Sequence, residues 1–298
     1  CLYQDQLYVA TDNGLLLINE KTGKAVENKL TKRLKGIRIR CLMKDSKEQL
    51  WLSTFGPEGL LCVSKDGTVT SYNQEKSGTK GNSFRSTFEM TDKTIVAASS
   101  TGITFLHNGK VVGTLGKEDG LTNPQILSLQ ETADHKLLAG SDGDGIFVIE
   151  NGEIKDCYKL EDGLTSQIIL RMTPCEDGFL IVTGNSLCYL DGEGRIRAIK
   201  NFPYSNNLDA IEMPDDTYWI LSSAGIYIVK KEELLKDEET LTYRLLGSKE
   251  GLNSSITANS WNAVSKKGCL YLSCSSCVLK IDADNTESYQ GEYRLSMN

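Results

Sequence analysis

Histidine is scarce in this chain: His107 and His135 are the only two in 298 residues. Chemistry that rests on an imidazole base or a multi-histidine metal site therefore has few places to occur. His107 lies in one turn (LHNGK) and His135 in another (ADHKL), and both are expected to face solvent without a catalytic role. No G-x-S-x-G elbow, H-E-x-x-H pair or phosphate-binding loop occurs. Basic charge is also in deficit, with 33 Lys and Arg against 40 Asp and Glu, a net charge of -7 and a pI near 5.1. That balance argues against nucleic-acid binding and against a simple polybasic membrane patch. No apolar run approaches the roughly 18 residues that span a bilayer, so no direct membrane insertion is expected. Proline is rare as well, with five residues placed mostly at turns, so strands are left uninterrupted.

Nine cysteines are present, an odd number, and Cys41, Cys62, Cys188 and Cys269 sit singly inside apolar runs, as small hydrophobes do. Their spacing is not that of a secreted disulfide framework. Cys274-Ser275-Ser276-Cys277 is a C-x-x-C, but it spans a turn between two strands and has no second C-x-x-C to complete a zinc site. A structural role, with or without a local disulfide, is expected there. Asp142-Gly143-Asp144-Gly145 resembles the start of a calcium loop. An EF-hand would need an oxygen ligand at Ile146 and a glycine at Phe147, so a tight turn is the better reading. No metal, cofactor or catalytic residue is assigned.

What the chain does have is a repeat. Apolar strand pairs begin near residues 6, 49, 94, 136, 178, 217 and 269, for example QLYVATDNGLLLIN from Gln6 and QLWLSTFGPEGLLCV from Gln49. The period is about 43 residues, that of a four-stranded propeller blade. Runs such as Gly145–Ile149 are continuously apolar, as a strand covered on both faces requires. Segments such as GIRIRCLMKD, QILSLQET, IILRMTP and LDAIEMPD precede the pairs as innermost strands, and GTVTSYNQ or GEIKDCYKL follow as outer ones. The expected fold is all-β: a seven-bladed β-propeller of four-stranded antiparallel blades filling residues 1–298 as one domain. The charged insertion KKEELLKDEE, Lys230 to Glu239, is expected to form a turn of helix on the rim.

Cys1 opens straight into Leu2 and Tyr3 with no signal-peptide pattern. The chain is expected to begin at the second strand of blade one, as a piece of a longer polypeptide would. Ring closure would then require Tyr289 to Met297 to supply a strand. Residues 285–298 are read as that closing strand or as the start of a following β-sandwich module.

Between repeats a phrase recurs: KEDGLTNPQI at Lys117, LEDGLTSQII at Leu160 and SKEGLNSSIT at Ser248. Together with Trp51-Leu52-Ser53-Thr54, this resembles the two-component regulator propeller repeat. The likeness implies an extracytoplasmic (periplasmic or cell-surface) sensor domain of a bacterial membrane signalling receptor, with carbohydrate or another small nutrient as ligand. It also implies self-association in the full-length receptor. The Asp-box of sialidase-like propellers is absent.

In a propeller, the loops between blades and those between second and third strands share one face around the central channel. Polar groups at the starts of the inner strands are expected at that mouth: Arg38, Arg40, Arg85, Gln125, Gln167, Asn207, Asp209 and Asn259, with Trp261 as a surface for a sugar ring. Two other classes of function remain open: a protein–protein interaction scaffold, and a propeller lyase or hydrolase.

Overall fold

A computed structural model gives the structure, and it describes residues 1–237, 240–258 and 260–283. Seven antiparallel sheets follow one another along the chain, six of four strands and a last one of three among the described residues. The expected seven-bladed propeller is therefore the observed fold. The inner strands are Leu2–Tyr3, Arg38–Lys44, Phe84–Glu89, Ile126–Glu131, Ile169–Cys175, Asn207–Glu212 and Ala263–Val264. Each is followed by a second strand, at Gln6–Thr11, Leu50–Phe55, Ile95–Ser99, Leu137–Ser141, Gly178–Thr183, Thr217–Ser222 and Cys269–Ser273.

The chain does not start at a second strand. Leu2–Tyr3 is a two-residue first strand paired to Gln6 and Leu7 across a turn at Gln4 and Asp5, both with positive φ. Two residues are too short to show an alternation, which is why the sequence pattern hides this strand. The proposed closing strand, Tyr289 to Met297, lies outside the described residues, as does the module suggested for residues 285–298. The charged insertion does form a helix, Lys231–Lys236, with Leu234 fully buried.

Continuous apolar runs are explained by blade stacking. In Leu60–Val63 all four residues are buried. Leu61 and Val63 join the core shared with blade one, whereas Leu60 and Cys62 join the core shared with blade three. Period-two alternation thus divides the strand between two dry faces, each buried leucine contributing about 1.5–3 kcal/mol. Six such cores join consecutive blades, from one–two through six–seven. Among the described residues no core of this kind joins blade seven to blade one. There the Tyr271 hydroxyl donates to Glu20 at 2.5 Å and the Lys280 ammonium lies 3.1 Å from the same carboxylate.

The recurring phrases lock the chain locally. Asp119, Asp162 and Glu250 each accept a hydrogen bond from the backbone N–H three residues upstream, at 2.8 Å in all three cases. The following glycine takes a left-handed conformation, and at Gly163 (φ 107°) a Cβ would run into the Ile196 carbonyl oxygen. The next leucine then enters the inter-blade core, with Leu121 and Leu164 buried. In blade two, Asp45 accepts from the backbone of Lys47 and Gln49 and from the Trp51 indole N–H at 2.8 Å, while Trp51 stacks on Tyr72. These motif residues hold turns and blades together.

Candidate functional site at the channel mouth

Five of the inner strands carry a β-bulge at the same place. The extra residues are Arg40, Arg85, Leu127, Leu170 and Leu208, on blades two to six. A bulge re-aims the side chain it carries. Leucine fills that position on three successive blades, so the bulge itself does not demand arginine.

On blades two and three the two bulge arginines meet a third. Arg38 is paired directly across the sheet with Phe55, and the guanidinium carbons of Arg38, Arg40 and Arg85 lie 5.1, 5.5 and 5.7 Å from the Phe55 ring centroid. A ring has two faces, so at least two of the three cations share one. Arg38 Nε donates to Asp12 of blade one at 2.8 Å, Arg40 stands 4.0 Å from the same carboxylate, and Arg85 donates to Gln125 Oε1 at 3.1 Å. The buried Nε atoms of Arg40 and Arg85 find no acceptor among the described residues. Among the described residues, Asp12 is the only carboxylate that pairs with these three arginines.

A fourth inner-strand arginine lies in a different setting. Arg171 of blade five donates to the carbonyls of Leu170 (2.6 Å) and Ser260, packs 4.2 Å over the Trp261 ring and stands 3.8 Å from Asp209 of blade six. At 3.8 Å the contact with Asp209 is coulombic rather than a hydrogen bond. Asp209 also accepts from the Asn262 amide at 2.9 Å. Burial pushes the Asp209 carboxyl above the usual carboxylate range, against the pull of Arg171 and Asn262. The Cys41 thiol, next to Arg40, is pushed up to about 11 by burial, partly offset by a hydrogen bond from the Thr87 backbone.

Between blades seven and one, where the interior core is lacking, lies a cleft of about 1210 Å³. Leu7 and Leu16 of blade one line it, together with Tyr271, Trp261 and Asp12, and of the arginines on Phe55 it reaches Arg40.

Of the residues singled out from sequence, the structure gathers Arg38, Arg40, Arg85 and Gln125 into one group, and Asp209 with Trp261 into another. Gln167 contributes its backbone carbonyl, which accepts from Gly143 and Gly145, at the entrance to blade five. Asn207 is buried, and its amide donates to the Tyr204 carbonyl at 2.8 Å, holding the loop before blade six. Asn259 lies outside the described residues. Phe55, Asp12, Arg171 and Asn262 were not singled out. Arg171 had a readable signal, because it interrupts the apolar inner strand IILRM.

The remaining sequence candidates lie elsewhere or are already engaged. His107 ends the third strand of blade three rather than lying in the turn, with Nδ1 3.2 Å from Thr94 Oγ1. His135 is exposed and pairs with Glu131 at 3.0 Å. Both occupy the face opposite the channel mouth, His107 at the end of a third strand and His135 in the turn between a first and a second strand. Asp144 pairs with Lys159 at 3.0 Å and accepts from Thr122, and Gly145 (φ 78°) closes the turn where a Cβ would strike the Tyr158 carbonyl oxygen. Cys274 and Cys277 flank a two-residue turn and are free thiols; burial pushes Cys274 up to about 11.

No family model matches the chain, and no curated protein does. Solved structures do. The extracellular domain of a hybrid two component system from B. thetaiotaomicron superposes with a TM-score of 0.80 at 14% identity, over 95% of this chain and 38% of that one. A streptogramin B lyase gives 0.65 at 15%, over 92% and 88%. The WD40 propeller domain of Doa1 gives 0.64 at 13%, over 94% and 89%. At these identities the likeness is one of fold, and the chain spans well under half the length of the first.

Proposed function

We propose that this propeller is a non-catalytic, ligand-sensing portion of a bacterial membrane signalling receptor, located outside the cytoplasm, and that it binds a small molecule or oligosaccharide at the channel mouth. The observation that carries this reading is the convergence of three partly exposed arginines from two blades on Phe55, beside a cleft large enough for a small ligand. The length of the two-component neighbour beyond the matched region supports a place within a larger receptor, where self-association would transmit the signal.

A lyase reading draws on the streptogramin B lyase neighbour. Against it, both histidines sit on the opposite face, and the carboxylate at the arginine cluster is held by Arg38 rather than free to act as a base.

A thermal-shift screen against oligosaccharides and small nutrients tests the sensor reading. A ligand at 100 times its Kd adds about 2.7 kcal/mol of stability. A reproducible shift that is lost in Arg40→Ala/Arg85→Ala supports it. A clean negative, with a partner protein captured instead through the blade edges, would favour the interaction-scaffold alternative.

A further inference from the structure

Resting on that reading, we infer that the ligand carries an oxyanion, a carboxylate or a sulfate, bound between Arg40 and Arg85 against Phe55. The repeat supplies the internal control. At the equivalent bulge position blades four, five and six carry Leu127, Leu170 and Leu208. Packing and backbone geometry are therefore met by an apolar side chain, and two adjacent arginines place charge where the fold needs none.

That charge is also under-compensated. In a chain of net charge -7, three guanidinium groups here face one carboxylate among the described residues, and it is well exposed and hydrogen-bonded by Arg38. The phenyl ring attracts each cation only weakly at a partly exposed site, and at least two cations crowd one face. An oxyanion answers both: it accepts from the guanidinium forks and cancels their mutual repulsion.

The test is a thermal-shift titration at constant ionic strength, in which sodium sulfate, a galacturonate trimer and a neutral galactose trimer each replace or join sodium chloride. For the wild type we expect a saturable rise in Tm with sulfate and with the galacturonate trimer, the trimer acting at lower concentration, and little with the neutral one. Arg40→Gln/Arg85→Gln should weaken the saturable response at least tenfold, and Arg40→Lys/Arg85→Lys should keep part of it. The general stabilisation of folded proteins by sulfate does not saturate and persists in the variants, so it is separable. The relative strength of the sulfate and galacturonate arms identifies the oxyanion. A wild type that responds only to the neutral trimer overturns the oxyanion assignment and leaves the sensor proposal standing. An anion response unchanged in the Gln variant overturns the site, and silence of the whole panel counts against both proposals.

Discussion

Two groups of arginine stand on the inner strands, and they are wired in opposite ways. Arg171 is largely closed off: two carbonyls take its terminal nitrogens, Trp261 covers its face, and Asp209 supplies a counter-charge at 3.8 Å, with Nε alone lacking an acceptor among the described residues. Its contacts tie blade five to blades six and seven, so it behaves as a strut. Arg38, Arg40 and Arg85 are left open, with three charges to one carboxylate and a ring as common support. The same side chain therefore serves architecture on one side of the channel and recognition on the other. What separates the two is how completely the guanidinium is satisfied by the protein itself.

The largest effect should come from breaking the strut. Arg171→Ala leaves Asp209 buried without its cation and should cost about 3–5 kcal/mol in urea unfolding. If the loss is under 1 kcal/mol, Arg171 belongs with the open group and the contrast fails. Arg171→Leu combined with Asp209→Leu should recover most of that loss, because a buried ion pair replaced by well-packed apolar groups is often close to neutral.

The next effect is on pH dependence. The Asp209 carboxyl has a folded-state pKa above its unfolded value of about 3.9. Its contribution favours the folded state fully below the unfolded value and is lost as pH rises through the raised folded one. Arg171→Ala should widen that window by raising the folded value further, and Asp209→Asn should flatten it. Urea midpoints across pH 3 to pH 8 read this directly, and an unchanged slope in Asp209→Asn would contradict the assignment.

The smallest effect on stability should be at the open group. Arg40→Gln/Arg85→Gln should shift unfolding by less than about 1 kcal/mol, because both side chains are only half-buried and neither has a close ion pair among the described residues. A loss of 3 kcal/mol there would mean that these arginines are also structural. Phe55→Leu should be similarly mild, forfeiting ring attraction of about 0.5–1 kcal/mol per cation, yet should lower affinity for an anionic ligand.

Much of this was legible along the chain, for identifiable reasons. The second strands begin within a residue or so of where the repeat puts them, because strands buried on both faces must be apolar throughout. Trp51 and the Asp-Gly-Leu phrases stood out, and each proved to be a local device: Asp45 holds the indole, and Asp119 and Asp162 close their own turns. Leu2–Tyr3 escaped because a pair of residues carries no period. Arg38, Arg40 and Arg85 could be placed at the mouth because inner-strand starts are periodic, but Phe55 and Asp12 could not be joined to them. Those two residues end a second strand and sit in the turn of another blade.

The sequence by itself determined the number of blades, the strands that build them and the turns that separate them, since these depend on periodicity and on contacts within a few residues. Only the tertiary structure decided which arginine is a strut and which is open. A guanidinium is satisfied or left unsatisfied by groups such as Ser260, 89 residues from Arg171, and no local pattern encodes a distance across a closed ring.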